Sequence, residues 1–471
     1  MSSYDLMNKS LTTNSIRRRY YTILFLVWFA TSLPLSLSVL LAQARGIGLA
    51  EVGLALGVYS LTIVALEVPT GGLADAVGRK RVALLAFALA ALYNLAFLFA
   101  FSFPTLLLAM ILYGVSRALS SGALDAWFVD ALQAADPTID LQPALAGAET
   151  VSLLALGLGT LLGGLLPRLF TALPPDGTAV LTPLAIPIVA ALIVKLLLVV
   201  AVAVLIHERR PTNGASWHDD SWHDDPWHDD SWHDDSWHDD SWHDDSWRAG
   251  FRAVPGLVGD AAQLSRGNPR LLLLMSASFV AGLAVISLEA LWQPHFAGLA
   301  GATGSAAPTP LLGVIMAGSF VAAMGGNLLA GRLSRGLGGR HALVGALSRL
   351  LEGASILALA VAGALIPAAG FFWLAYLMGG IGLSPHAALL NAEIPAERRS
   401  AMLSVQSLAS YLGSFLGGAV LGAVAERVSI PAAWLIAGAL TVVSLVPYLI
   451  LDARRDRTEG DRGSEQLLQQ P

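Results

Sequence analysis

The sequence contains no cysteine and has few charged residues for its length. Asp, Glu, Lys and Arg make up 13% of its 471 residues, whereas a soluble domain averages about 25%. Without cysteine there can be no disulfide bond and no thiolate metal site. Because so few charges could not cover the surface of a water-soluble protein of this size, the composition excludes that class.

Apolar residues are abundant and occur in long blocks. They account for 55% of the chain, and several blocks exceed the roughly 18 residues needed to cross a bilayer. A backbone in lipid must satisfy its own hydrogen bonds, so each block should be a helix. The sequence therefore predicts an all-α integral membrane protein with transmembrane helices near 20–42, 50–73, 82–102, 105–131, 143–167, 182–206, 270–296, 309–331, 341–366, 370–392, 400–425 and 431–452.

The polar stretch between the sixth and seventh predicted spans contains a tandem repeat. Six copies of Trp-His-Asp-Asp, each followed by Ser or Pro, run from Trp217 to Ser246 and contribute twelve aspartates. Without these aspartates the net charge of −6 becomes +6, from 28 basic and 22 acidic residues. Dense charge and low complexity favour a disordered, solvated linker over residues 207–269. Metal capture by imidazole and carboxylate is the alternative.

Lysine and arginine are distributed unevenly between the two sides of the predicted bundle. With a cytoplasmic amino terminus, the inward tails and loops hold 22 of the 28 basic residues, and the outward loops hold Arg45, Arg168 and Arg427. Basic residues concentrate in cytoplasmic loops of membrane proteins. We therefore expect both termini in the cytoplasm and the protein in the cell (inner or plasma) membrane.

The two halves of the chain share short glycine patterns. In the fifth span Gly159-Thr-Leu-Leu-Gly163-Gly164 matches Gly413-Ser-Phe-Leu-Gly417-Gly418 in the eleventh. Glycines at such spacing allow membrane helices to pack closely. A second echo joins Gly71-x-Leu73-x-Asp75-x-x-Gly78 to Gly331-x-Leu333-x-Arg335-x-x-Gly338 at nearly the same offset. The echoes indicate a duplicated six-helix unit, a common transporter design.

The loop between the second and third spans carries the most specific motif. Its sequence is Gly71-Gly-Leu-Ala-Asp75-Ala-Val-Gly78-Arg79-Lys-Arg. It resembles the signature G-x-L-x-D-x-x-G-R-K/R of the major facilitator superfamily at every position. The resemblance implies two pseudo-symmetric six-helix bundles, here residues 1–206 and 270–452, with a linker at 207–269 and a cytoplasmic tail at 453–471.

The resemblance also implies a conformational switch in this loop. Asp75 would accept hydrogen bonds from the start of the eleventh span, near Ser400 to Ser404. Arg79 would pair with a carboxylate at the inner end of the fourth span, with Asp125 and Asp130 as candidates. Gly71 and Gly78 would shape the turn. The alternative is a basic loop that only fixes topology.

Of the charged residues within predicted spans, four are candidates for function, whereas Arg349 and Glu352, three residues apart on the ninth span, can neutralise each other. A charge inside the membrane is costly unless it is paired or hydrated, so each of the four is a candidate for function. Arg117 would line the cavity and either tune a proton-carrying carboxylate or bind an anionic part of the solute. Glu67 would be the leading proton site. Glu149 and Glu289 complete the set, although positions nearer the membrane faces favour snorkelling or structural pairing for both.

These features predict a secondary active transporter, not an enzyme, and we favour proton-coupled efflux of an amphipathic compound. The expected partners are a small-molecule substrate, the proton and the lipid bilayer, with no nucleic acid, no cofactor and no metal site. The family is mostly monomeric, and a monomer is expected. A symporter or uniporter for a polar metabolite is the alternative, and a non-transporting membrane sensor is the alternative of another class. Aromatic residues in the spans fit an apolar cavity: Trp28, Phe29, Tyr59, Tyr113 and Trp127.

Overall fold

The computed structural model describes residues 12–120, 123–175, 177–206, 268–301, 308–394 and 399–453. The side chains of residues 67–69, 71–77, 121–123 and 399–405 lie outside this description. So do residues 207–267 of the predicted linker (207–269) and residues 454–471 of the predicted tail (453–471). Within the described residues the chain is helical and has no β-strand.

Eleven helices are long and apolar enough to cross a membrane, and a bent pair at the start of the chain makes twelve. We number them α1 to α12: Thr13–Ser36 with Ser38–Ala44, Leu49–Val77, Arg79–Leu98, Phe103–Ala135, Gln142–Leu165, Pro183–Leu205, Pro269–Leu299, Thr309–Gly336, His341–Val361, Leu365–Glu393, Arg399–Arg427 and Ile430–Ala453. The twelve predicted helices are confirmed, with ends that differ by a few residues.

Helix α1 is bent by 43° and is not the continuous span that was predicted. Pro34 lies in a short 3-10 segment, Leu33–Ser36, and Leu37 leaves helical geometry. Proline has no N–H and its ring clashes with the preceding helical turn, so it breaks a helix where it stands in the interior. The break exposes backbone groups that a straight helix would pair internally.

Helices α1–α6 and α7–α12 form two halves with the same internal packing. Helix α1 packs on α5 and α3 on α6 in the first half, and α7 packs on α11 and α9 on α12 in the second. The halves meet where α2 packs on α11 and α5 on α8. We call the end that carries Thr13, Gly78 and Ala453 the terminal end, and the opposite end, at Gly46 and Ser429, the distal end.

Large apolar side chains cover the outer surface of the bundle. Leu197, Val200 and Val204 on α6 and Leu328 on α8 are between 57% and 71% exposed. Such a surface is stable in lipid and would aggregate in water. The chain is therefore a multi-pass membrane protein.

The shared glycine pattern has the same packing role in both halves. A Cβ atom at Gly163 would lie 1.9 Å from the Leu33 carbonyl oxygen of α1, and one at Gly413 would lie 1.9 Å from the Phe279 carbonyl oxygen of α7. Only glycine permits so close a backbone approach. Gly159 likewise faces α1, and Gly417 faces α7.

The last glycine of each pattern faces the other half. Gly164 packs against Gly313 of α8, and Gly418 packs against Gly53 of α2, where a Cβ would lie 2.2 Å from the Gly53 carbonyl oxygen. These contacts lie toward the distal end, where α2 and α8 begin and α5 and α11 end. Glycine packing therefore brings the halves together on the distal side of the membrane.

Two side chains seal the distal end across the halves. Gln293 of α7 reaches the break in α1, where its Oε1 accepts hydrogen bonds from the N–H groups of Val39 (2.9 Å) and Leu40 (3.3 Å). Its Nε2 donates to the Leu35 carbonyl oxygen at 2.9 Å. Glu426 of α11 accepts a 2.7 Å hydrogen bond from the Ala50 N–H at the start of α2. Free N–H groups at helix starts are thus satisfied by the opposite half.

Candidate functional site

Three tyrosine rings stack at the centre of the first half. Tyr113 of α4 lies between Tyr93 of α3 and Tyr59 of α2, with centroids 4.4 Å and 4.8 Å apart and rings tilted by 16°. Gly114 allows α4 to approach α2, since a Cβ there would lie 2.7 Å from the Thr62 Cβ. The stack crosses the distal half of the bundle, because Tyr93 lies five residues and Tyr59 and Tyr113 each ten residues from the distal ends of their helices.

Arg117 lies beside this stack on the cavity side. Its guanidinium carbon is 5.3 Å from the centroid of the Trp28 ring of α1, a cation–π contact. It also interacts electrostatically with Tyr59 and Tyr113, and with Tyr411 of α11 in the other half. In the described part of the chain no carboxylate forms an ion pair with Arg117. The cation is therefore held by aromatic groups and phenol oxygens at the interface between the halves.

Lys195 lies at the opposite end of the tyrosine stack. This α6 residue is only 3% exposed. Its Nζ donates a 3.3 Å hydrogen bond to Asn94 Oδ1 and lies 4.9 Å and 5.3 Å from the ring centroids of Tyr93 and Tyr113. A buried cation needs such partners because desolvation costs several kcal/mol. Sequence analysis did not find this site, since its partners are on other helices.

Glu289 faces the same tyrosines from the second half. Its side chain is exposed, yet it interacts electrostatically with Tyr59 and Tyr113 of the first half and Tyr376 of α10. It thus lines an internal cavity and does not lie near a membrane face as predicted. Ten residues, about 15 Å of helix, separate it from the distal end of α7. Among the described residues, none forms a hydrogen bond or ion pair with its carboxylate.

The other two predicted acids are placed differently. Glu149 is exposed near the terminal end of α5, where its electrostatic neighbour is Tyr20. It is not brought together with Arg117 or Glu289. The side chain of Glu67, in the terminal half of α2, lies outside the described part of the structure.

The second half contains a buried polar network that joins four helices. His386 of α10 bonds through Nδ1 to the Tyr448 hydroxyl of α12 at 2.8 Å and through Nε2 to the Ser278 hydroxyl of α7 at 2.9 Å. On α9, Arg349 donates to Glu352 at 2.8 Å, which confirms the ion pair expected from their spacing. Arg349 also interacts with Tyr448. Sequence patterns alone gave no signal for His386 or Tyr448.

The terminal end carries the ion pair formed by the signature loop. Gly78 has φ of 100°, a conformation that favours glycine, and separates α2 from α3. Arg79 pairs with Asp130 of α4. Asp125 instead accepts a 2.6 Å hydrogen bond from the Tyr20 hydroxyl of α1. Gly71 and Asp75 belong to α2, but their surroundings and those of Ser400 to Ser404 lie outside the description.

This arrangement defines a class: a two-bundle membrane transporter with a central, charge-bearing cavity. The sequence matches the model of the Major Facilitator Superfamily over residues 20–382 and 310–470. The chain belongs to that superfamily and is a transporter, not an enzyme. No curated protein matches the sequence.

Solved structures with the same fold include several transporters. The nucleoside transporter NupG superposes with a TM-score of 0.68 at 14% identity, over 92% of this chain and 98% of that one. A POT family transporter in complex with 5-aminolevulinic acid gives 0.65 at 12%, over 93% and 96%. The human organic anion transporter MFSD10 gives 0.57 at 15%, over 93% and 99%. Similarity at identities this low establishes the shared fold and does not indicate which substrate this chain transports.

Proposed function

We propose that this transporter exports amphipathic solutes in exchange for protons, with both termini in the cytoplasm of the cell that carries it. The observation that supports this most directly is the placement of Arg117 and Glu289. They lie on opposite halves, face the same tyrosine pair, and form no ion pair with each other in the described structure. Opposite charges left unpaired in a low-dielectric cavity attract any group that can neutralise them.

Glu289 is the proton-binding residue in this proposal. A proton neutralises its carboxylate directly, and no resident cation does so in the described structure. The solute would bind in the same cavity, with its apolar part on Trp28, Tyr59 and Tyr113 and its polar or cationic part at the ionised Glu289 carboxylate. Because proton and solute then compete for one carboxylate, loading one lowers the affinity for the other, as exchange requires. Arg117 would favour the ionised form of that carboxylate.

Transport would then alternate between two conformations, one with the distal end closed and one with the terminal end closed. In the proposed cycle, the distal seal at Gln293, Glu426 and the paired glycines holds the cavity open toward the cytoplasm. The signature loop closes the opposite end, with Asp75 at the start of α11 and the Arg79–Asp130 pair supporting the turn. Both ends cannot open at once without a leak, so the distal seal and the proposed Asp75 contact should form alternately. The Arg79–Asp130 pair lies within the first half and would support the turn in both states.

The Glu289→Gln variant tests the proton site. We expect it to abolish dye transport driven by an imposed pH gradient in proteoliposomes, a loss of at least about tenfold. Dye exchange at equal pH should remain, because the glutamine keeps the shape and loses only the titratable proton. Ethidium and carboxyfluorescein serve as cationic and anionic amphipathic dyes. The matched control is Glu51→Gln, since Glu51 accepts only the local Gly48 N–H bond at the distal surface.

Two results would count against the proposal. If Glu289→Gln still responded to the gradient like the wild type, the proton site would lie elsewhere. If wild-type dye movement ignored the gradient altogether, proton coupling would fail and uniport would be favoured.

A further inference from the structure

The hydroxyl of Tyr376 is buried and has no hydrogen-bond partner within the described structure. Leaving a buried hydroxyl unpaired costs about 1–3 kcal/mol, so such groups are rare and call for an explanation. Tyr376 interacts electrostatically with two carboxylates, Glu289 in the cavity and Glu352 in the buried network. The Tyr376 side chain therefore lies near both the proposed proton site and a second carboxylate, Glu352, which has no role in the transport cycle proposed above.

Helix α10 carries a line of polar contacts along one face. Tyr376, Gly379, Gly382 and His386 follow one another at intervals of three or four residues, which places them on the same side of the helix. Glu352 Oε1 would lie 3.3 Å from a Cβ at Gly379, and an Arg349 nitrogen 3.7 Å from one at Gly382. The two glycines thus make room for the α9 ion pair between the tyrosine and the histidine.

The line leads from the cavity toward the terminal end. From Tyr376 to His386 it covers about 15 Å of helix, and His386 is seven residues from Glu393, where α10 ends. His386 is bonded at both ring nitrogens, to Tyr448 and Ser278. A ring bonded on both sides can accept a proton at one nitrogen and release one from the other.

We propose that this face of α10 is an internal proton path from Glu289 to the terminal end, with Tyr376 as the relay, used while the distal end is sealed. The inference rests on the proposed function, because it needs Glu289 to carry the proton. The path operates when the Tyr376 hydroxyl, which is unpaired in this structure, comes within hydrogen-bond distance of both carboxyls. The protonated Glu289 carboxyl then loses its O–H bond as the Tyr376 oxygen accepts that proton, and the original Tyr376 proton passes to Glu352. Glu289 is left ionised, Tyr376 is unchanged and Glu352 is neutral.

The second stage moves the proton to His386. The neutral Glu352 gives its proton to the Tyr448 oxygen, and the Tyr448 proton passes to His386 Nδ1. His386 then releases a proton from Nε2 through the Ser278 hydroxyl. Glu352 becomes an anion again and restores its ion pair with Arg349. Re-forming that ion pair favours the forward direction.

Tyr376→Phe is the most direct test, because the hydroxyl that it removes forms no hydrogen bond in the described structure. We expect gradient-driven transport of ethidium and carboxyfluorescein in proteoliposomes to fall at least about tenfold, while dye exchange at equal pH stays within about twofold of the wild type. Thermal stability should be unchanged or higher. The matched control is Tyr21→Phe, whose hydroxyl donates to the Ala144 carbonyl away from the path.

His386→Gln provides an independent variant, because a glutamine can bond Tyr448 and Ser278 but cannot carry a proton. It should show the same loss of gradient-driven transport with exchange retained. Gradient-driven transport at the wild-type rate in both variants would overturn the path while leaving Glu289 as the proton site. Wild-type insensitivity to the gradient would overturn the path and the proposed function together.

Discussion

At the residue scale, Lys195 shows how a buried charge can serve function more than stability. Its ammonium group is held by one amide oxygen and two aromatic faces, and no carboxylate pairs with it in the described structure. Lys195 and Arg117 thus place one cation at each end of the tyrosine stack. A region so rich in positive charge at mid-membrane raises the affinity of the cavity for negative charge, including the ionised form of Glu289.

Replacing Lys195 by methionine should separate the two roles. Methionine keeps the length and the contacts with Tyr93 and Tyr113 while removing the cost of burying a charge. We expect Lys195→Met to leave the melting temperature unchanged or higher and to reduce gradient-driven dye transport several-fold. Lys195→Ala should melt lower, because it opens a cavity that costs about 2–5 kcal/mol.

Thermal unfolding in detergent and dye transport in proteoliposomes measure the two effects. A Lys195→Met variant that melts well below the wild type would assign the lysine a structural role.

The sequence identified most of the charged residues of the site but not their arrangement. Arg117 and Glu289 could each be recognised because charges in apolar spans are rare. Their partners could not, since Tyr59, Tyr93 and Tyr113 belong to three different helices. The surroundings of Glu289 were misjudged because its position along α7 does not show which neighbouring helices its side chain faces. One-dimensional patterns do not show which side of a helix faces the cavity.

At the scale of the helices, the break in α1 depends on the other half of the protein. Pro34 provides a local signal for the break. The partner that satisfies the freed N–H groups is Gln293, on α7, more than 250 positions away along the chain. A local reading could therefore have predicted a kink, but not that the kink is a contact between halves.

Gln293→Leu should weaken the distal seal. It leaves the Val39 and Leu40 N–H groups and the Leu35 carbonyl without their partner, and unpaired buried groups cost about 1–3 kcal/mol each. The measurement is labelling of a single cysteine at Ser36, which is fully buried at the break; the chain has no other cysteine. We expect labelling by a membrane-impermeant maleimide from the distal side to rise at least about fivefold.

Gln142→Leu is the matched control, since that side chain is exposed at the terminal end. Equal labelling in both variants would mean that Gln293 does not hold the seal.

At the scale of the whole molecule, the two halves keep a common plan and have diverged in their polar groups. Lys195 contacts Asn94 between α6 and α3, and Tyr448 interacts with Arg349 between α12 and α9. The offsets are 253 (195 to 448) and 255 (94 to 349), close to the offset of the glycine patterns. Among the described residues, the buried cation at this junction has no carboxylate partner in the first half and is ion-paired with Glu352 in the second. The duplication was predictable from the glycine patterns, whereas the different polar groups at this junction in the two halves were not.

The Arg79–Asp130 pair at the terminal end should affect the balance of conformations more than stability. The Asp130 side chain is 60% exposed, and exposed pairs contribute about 0–1 kcal/mol. A change of that size shifts a two-state equilibrium by about fivefold at most. We therefore expect Asp130→Asn to keep the wild-type melting temperature and to reduce transport by no more than about fivefold.

Asp75→Asn should cut transport far more severely while the protein still reaches the membrane, because Asp75 is proposed to close the terminal end directly. Labelling of the cysteine at Ser36 should follow the same order, falling most in Asp75→Asn, since loss of the terminal contact favours the state in which the distal end is closed. Equal transport in the two variants, or near-normal transport in Asp75→Asn, would show that the signature loop does not act as the terminal closure.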